Sequence, residues 1–155
     1  MDVERQRYED MLAALMRFVD IVNKEHAHGV CFGGRHRLFP AEIHTIVDIG
    51  LNDGISLTRL AEKLEISKPT LSERIRKLVA KGYVMKVKNS ADHKAVKLHL
   101  TPAGKDAAYH HEIHHREMYR RFKAYFGEDA LQRIELFTRT FTELSSFEKQ
   151  IEDNR

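Results

Sequence analysis

The sequence has little with which to staple, anchor or catalyse. Its single cysteine, Cys31, rules out an internal disulfide, so stability must come from packing and the thiol is left available for metal or redox chemistry. No apolar run approaches the roughly 20 residues needed to span a bilayer, and Met1 leads into a charged stretch at 2–7 instead of a secretory apolar region. A cytoplasmic protein without a membrane partner is the expectation. The patterns HExxH, nucleophile elbow and phosphate loop are all missing, which argues against an enzyme, and there is no internal repeat. With 155 residues, 42% of them hydrophobic, the chain can bury one core and is too short for two ordinary domains, so a single domain over 1–155 is expected.

What the sequence does have is unevenly spread. The formal net charge is only +3, yet residues 67–105 carry ten Lys or Arg against two acids, Glu73 and Asp92. The rest of the chain is net acidic. A segregated basic segment in a nearly neutral chain suggests a local surface for a polyanion, bound through salt-dependent neutralisation of phosphates.

Hydrophobic periodicity supplies the architecture. Residues 4–28 read as an amphipathic helix, with Tyr8, Met11, Leu12, Leu15, Phe18, Val19 and Val22 at steps of three and four. The glycine-rich stretch 29–40 is a loop, 41–51 a second helix, and Asn52-Asp53-Gly54 a turn. Two short helices follow, one capped by Ser56 with Leu57, Leu60, Ala61 and Leu64 on a face, the other capped by Ser67 with Leu71, Ile75, Leu78 and Val79. Pro69 suits the first turn of the latter and Gly82 its end. The link 65–67 is short enough only for a helix-turn-helix corner.

Beyond Gly82 the period changes to two. Tyr83, Met85 and Val87 alternate with Val84, Lys86 and Lys88, and Val96, Leu98 and Leu100 alternate with Lys97 and His99, so a β-hairpin with a polar loop at 89–94 is expected. A long helix should then run from Pro102 to about Phe126, break at Gly127, and give way to another through Ile134, Phe137, Phe141 and Leu144. The fold class expected is mainly α with a small β-hairpin wing: a winged helix-turn-helix lobe at about 35–105, flanked by helices at 4–28 and 106–150 whose broad apolar stripes call for dimerisation.

That order inside a basic segment is what a reader of double-stranded DNA needs, with the second helix of the corner in the major groove and the hairpin along the backbone or in the minor groove. The candidate contacts are Lys68, Thr70, Ser72, Arg74 and Arg76 on the helix, and Lys86, Lys88, His93 and Lys94 on the hairpin. Simple solvation of a basic face is the alternative.

Ten histidines include four in one short stretch, His110, His111, His114 and His115. On a helix, residues four apart point the same way, so His110/His114 and His111/His115 form two pairs, each able to offer two imidazoles to one metal. Glu25, Cys31 and His44 add ligand types from the first helix, the loop and the second helix.

Residues 35–109 resemble the MarR family of winged helix-turn-helix regulators, notably in Ser56-Leu57-Thr58-Arg59-Leu60-Ala61-Glu62-Lys63-Leu64, the helix starting near Ser67, and Asp92-His93-Lys94-Ala95 leading to Leu100-Thr101-Pro102-Ala103-Gly104. The resemblance implies a homodimer with intertwined terminal helices and a pseudo-palindromic operator. In that family the wing usually carries an arginine where Lys94 stands; lysine keeps the charge and loses the planar fork. The histidines, with Glu25 and Cys31, are similar to those of the zinc-sensing branch, the adhesin-competence type of repressor. That likeness implies a zinc site of Glu25, His44, His111 and His115, a closed four-ligand set with no open position for a catalytic water. His110 and Cys31 match a second site in the same branch, whose third ligand, an acid directly before the helix-two histidine, is replaced by Ile43, with Glu42 one residue off. The implied function is a zinc-dependent transcriptional repressor. The alternatives are a MarR-type response to a small phenolic ligand or to oxidation of Cys31.

Overall fold

In the computed structural model, which describes residues 2–88 and 96–154, the element order is α1 (Val3–His26), α2 (Pro40–Leu51), β1 (Ile55–Ser56), α3 (Leu57–Lys63), α4 (Lys68–Ala80), β2 (Val84–Lys88), β3 (Val96–Leu100), α5 (Pro102–Phe126), a 3₁₀ turn (Gly127–Asp129) and α6 (Ala130–Asp153). The chain divides into two compact units, Met1–His111 and Glu112–Arg155, and α5 runs through the division without a break.

Local chemistry accounts for the corner. Ser56 Oγ accepts from the Arg59 N–H at 3.3 Å and Ser67 Oγ from the Thr70 N–H at 3.2 Å, so each of α3 and α4 has one of its orphan donors satisfied by a side chain. Pro69 sits at the second position of α4, where no amide hydrogen is missed. α4 ends in a Schellman arrangement: Gly82, at φ 79, donates to Val79 O and Tyr83 donates to Leu78 O. α3 ends the same way on a residue that is not glycine. Glu65 takes φ 52, with its N–H on Glu62 O and that of Ile66 on Ala61 O.

The hairpin becomes a three-stranded antiparallel sheet in the order β1-β3-β2. β1 was not evident from the sequence, since two residues carry no alternation. It pairs Ile55 with Leu98, while β2 pairs Val84 with Leu100 and Lys86 with Leu98. This register corrects the inward set on β2. Val84 faces the core with Leu98 and Leu100, whereas Met85 and Val87 are exposed, the opposite parity to the one their hydrophobicity suggests. The core itself is built by Ile43, Ile46 and Ile49 of α2, Leu60 of α3, Leu71, Ile75 and Leu78 of α4, the sheet leucines, Tyr83, and Ala107 of α5.

Two features root this core to its flanks. A Cβ on Gly104 would collide with the backbone carbonyl of Tyr83, so the first turn of α5 lies against the start of β2 with no room for a side chain. Residues 27–39 are tied back by paired backbone bonds between Val30 and Leu38, both 2.9 Å, and by Leu38 and Phe32, which are buried. Pro40, placed with the loop on the sequence pattern, is the first residue of α2.

Candidate metal centre and nucleic-acid interface

The histidines on α2 and α5 converge. His111 is 8% exposed, with its ring edge-on to Phe32 at 5.2 Å and to His44 at 5.3 Å between centroids. His115 follows one turn later on the same unbroken helix. His44, His111 and His115 each offer a ligand nitrogen within 4.8 Å of the others. A tetrahedral zinc with Zn–N near 2.0–2.1 Å needs nitrogens about 3.4 Å apart, a difference that side-chain rotation can close. Three imidazoles, one sheltered by Phe32, are also the borderline-soft donors zinc prefers. The residues present fit the ion.

The other expected ligands are placed differently. Glu25 lies exposed near the end of α1 and is not part of this group. Cys31 is exposed in the loop. His110 is exposed, with Nε2 3.7 Å from Asp106 Oδ1, and a Cβ on Gly33 would run into both side chains, so the loop lies close over this turn of α5. Glu42 has other work. Only 7% exposed, it accepts from Lys81 Nζ at 2.7 and 2.8 Å and from the Phe39 N–H at 3.0 Å, and Lys81 also donates to Arg37 O.

On α4, Lys68, Thr70 and Ser72 are exposed, and the Thr70 and Ser67 hydroxyls share a 2.7 Å hydrogen bond. Arg74 is not on that open face. It is half-buried and donates through Nη1 to Thr45 Oγ1 of α2 at 3.1 Å. Arg76 is exposed, its Nε and Nη2 donating to the two carboxylate oxygens of Glu73 at 2.7 Å each. The Arg76 guanidinium, and Lys77 beside it, hold the Glu73 carboxyl below its ordinary value. Lys86 and Lys88 are exposed on β2. His93 and Lys94 fall outside the described residues.

Sequence reading missed Thr45, Lys81 and Phe32. Thr45 had a signal: it is a polar residue, 0% exposed, on the otherwise apolar face formed by Ile43, Ile46 and Ile49.

The helix-turn-helix corner followed by a hairpin has relatives. The MarR family model matches residues 38–96. The crystal structure of Streptococcus pneumoniae FabT in complex with DNA superposes with a TM-score of 0.68, at 23% identity, over 95% of this chain and 99% of that one. The fold is the MarR-like winged helix. A zinc-responsive MarR family member, Lactococcus lactis ZitR, shares this MarR-like fold with a TM-score of 0.62, 22% identity and coverage of 91% and 98%. Among curated proteins, the uncharacterized HTH-type transcriptional regulator YhjH of Bacillus subtilis (strain 168) is 29% identical over 145 residues, 91% of this chain and 78% of that protein. Together the comparisons show a MarR-like fold, with the family match confined to residues 38–96. Among the described residues, no helix of the MarR-like chain is long and apolar enough to cross a membrane.

Proposed function

We propose that the protein is a zinc-responsive transcriptional repressor that binds duplex DNA as a homodimer and is not an enzyme. The observation that carries the zinc part is the convergence of His44, His111 and His115, since these residues join α2 of the reading lobe to α5, the helix that leaves the hairpin.

Support for DNA as the partner comes from α4, which presents Lys68, Thr70 and Ser72 on an exposed turn, and from Lys86 and Lys88 on β2. It agrees with the DNA complex of the FabT relative. Support for a second copy comes from exposed apolar side chains on the terminal helices: Tyr8, Met11, Phe18 and Ile21 on α1, and Leu131, Phe141 and Phe147 on α6. Stripes of this size rarely stay in water. Two copies related by a two-fold axis would set their α4 helices in successive major grooves, roughly one helical turn apart, on a pseudo-palindromic site.

When bound, zinc would supply a cross-link between α2 and α5, with Glu25 the fourth ligand that the zinc-sensing resemblance implies. The chain's own bonds extend from there to the reading helix. Thr45, next to His44, holds Arg74 of α4, and Glu42, two residues before His44, holds Lys81 at the end of α4. Fixing α2 against α5 therefore restricts α4, and the tighter DNA and zinc affinities are linked reciprocally.

The test is a titration of purified full-length chain with duplexes selected from a randomised pool, followed by fluorescence anisotropy, with added zinc and with chelator. Zinc should tighten binding, and His111→Ala with His115→Ala should remove the zinc effect while the double variant stays folded by circular dichroism. Equal affinity with zinc and with chelator ends the zinc reading, and failure to select any duplex ends the DNA reading.

A further inference from the structure

Glu73 is the one acid in the thirteen residues of α4. A carboxylate on a helix that faces DNA is repelled by phosphates on either side, so its presence there lowers affinity for duplex of any sequence. Its geometry is equally specific. Both oxygens of Glu73 accept from the same edge of the Arg76 guanidinium, Nε and Nη2, at 2.7 Å, in the bidentate form that fixes a guanidinium plane. Lys77 Nζ stands farther off, 3.7 Å from Oε1.

With that edge occupied, the end of the fork, Nη1 and the second hydrogen of Nη2, points away from the carboxylate. Those two donors match the O6 and N7 acceptors that guanine shows in the major groove. Side chains on a helix lean towards its N-terminus, which carries the head of Arg76 towards the turn where Lys68, Thr70 and Ser72 are exposed. The other arginine of α4, Arg74, is turned inward to Thr45. Exposed pairs three residues apart on a helix usually contribute little to stability, so the pair is not explained by holding α4 together.

We infer that Glu73 is a positioning residue for base reading: it holds the Arg76 guanidinium edge so that the free end is presented to a guanine in each half-site, and it disfavours the use of Arg76 as a non-specific phosphate contact. The inference rests on the DNA-binding reading above and adds to it the identity of one base and of the residues that select it.

Duplexes are first selected by the wild-type chain from a randomised pool, with zinc present and absent. Each guanine common to the selected half-sites is then replaced in turn by 7-deazaguanine, which deletes the N7 acceptor, or by adenine. One guanine should show a loss of about 5- to 150-fold on adenine substitution, the range for a bidentate arginine contact. In Arg76→Ala, and to a large part in Glu73→Gln, that discrimination should vanish, while Glu73→Asp keeps a carboxylate and recovers part of it. Glu73→Gln should also bind a scrambled duplex more tightly than wild type, with a steeper dependence on salt. A structural role for Glu73 would instead move specific and scrambled affinities together. If the wild-type chain selects duplexes but Glu73→Gln keeps full guanine discrimination, or loses discrimination only at a cytosine that the carboxylate itself would read, the inference is overturned and the DNA-binding reading stands. If no duplex is selected, both fall.

Discussion

Arg74 of α4 donates to Thr45 Oγ1 of α2 at 3.1 Å, and the Thr45 hydroxyl passes its own hydrogen to Ala41 O at 2.7 Å. The most buried cation of α4 is thus held by the residue that follows His44. Thr45→Val keeps the shape and removes both bonds, leaving half-buried guanidinium donors without this acceptor. A loss of about 1–3 kcal/mol in urea unfolding is expected.

On the proposed DNA-binding function, the same contact separates Arg74 from its neighbours. Replacing Lys68, on the exposed turn, should lower the slope of log affinity against log salt by about one, as a lost phosphate contact does. Replacing Arg74 should weaken binding by displacing α4 and leave the slope unchanged. Affinities measured at four or five salt concentrations distinguish the two.

Lys81 and Glu42 form a second tie between α2 and the end of α4. The acid is buried and the lysine partly exposed, so removing one partner strands a charge that water reaches poorly. Lys81→Met should destabilise by about 2–3 kcal/mol, below the full cost of breaking a buried pair because the ammonium is part-hydrated. Adding Glu42→Gln should restore part of the loss, which a double-mutant cycle in denaturant would show.

Two glycines should respond differently to alanine. At Gly82 nothing lies within 4 Å of an added Cβ, so only the left-handed backbone is penalised, by about 1–2 kcal/mol. At Gly104 the added carbon meets the Tyr83 carbonyl, which already accepts from the Thr101 N–H at 3.1 Å, and a loss of about 3 kcal/mol is expected, near the upper end for overpacking. Thermal unfolding of the two variants side by side checks the order.

In the second unit, hydrogen bonds from Arg120 and then Arg121 lower the Glu117 carboxyl from 4.5 to about 2. A depressed acid stabilises the fold above its unfolded pKa and loses that contribution as pH falls through the folded one, here from about 4.5 to about 2. All three side chains are well hydrated, so the effect on stability is small. A carboxyl titration followed by NMR should show Glu117 moving back up towards 4.5 in Arg120→Ala, and further when Arg121→Ala is added.

Much of this molecule could be read along the chain because the information is local. The periodic leucines and isoleucines, Ser56 and Ser67 as caps, and Gly82 and Gly127 as breaks each act within a few residues, and the helices and hairpin appear where these signals place them. What depends on how elements cross could not be read so. The inward face of β2 is set by its register with β3, which places Lys86 beside Leu98. The turning of Arg74 needs α2 to lie across α4, and an arginine between Glu73 and Ile75 looks the same in sequence whether it points to solvent or to a threonine. The histidine pair at 111 and 115 was legible from helical spacing, whereas its junction with His44 was suggested only by family likeness. Glu25, on the same likeness, stands apart from the three.

The absence of a side chain at residue 104 also has a mechanical meaning. With a bare α-carbon seated against the carbonyl of Tyr83, α5 and β2 share a hinge pin rather than a cushion. Tyr83 also donates to Leu78 O at the end of α4, so a tilt of that first helical turn would be passed to β2 and to α4 together.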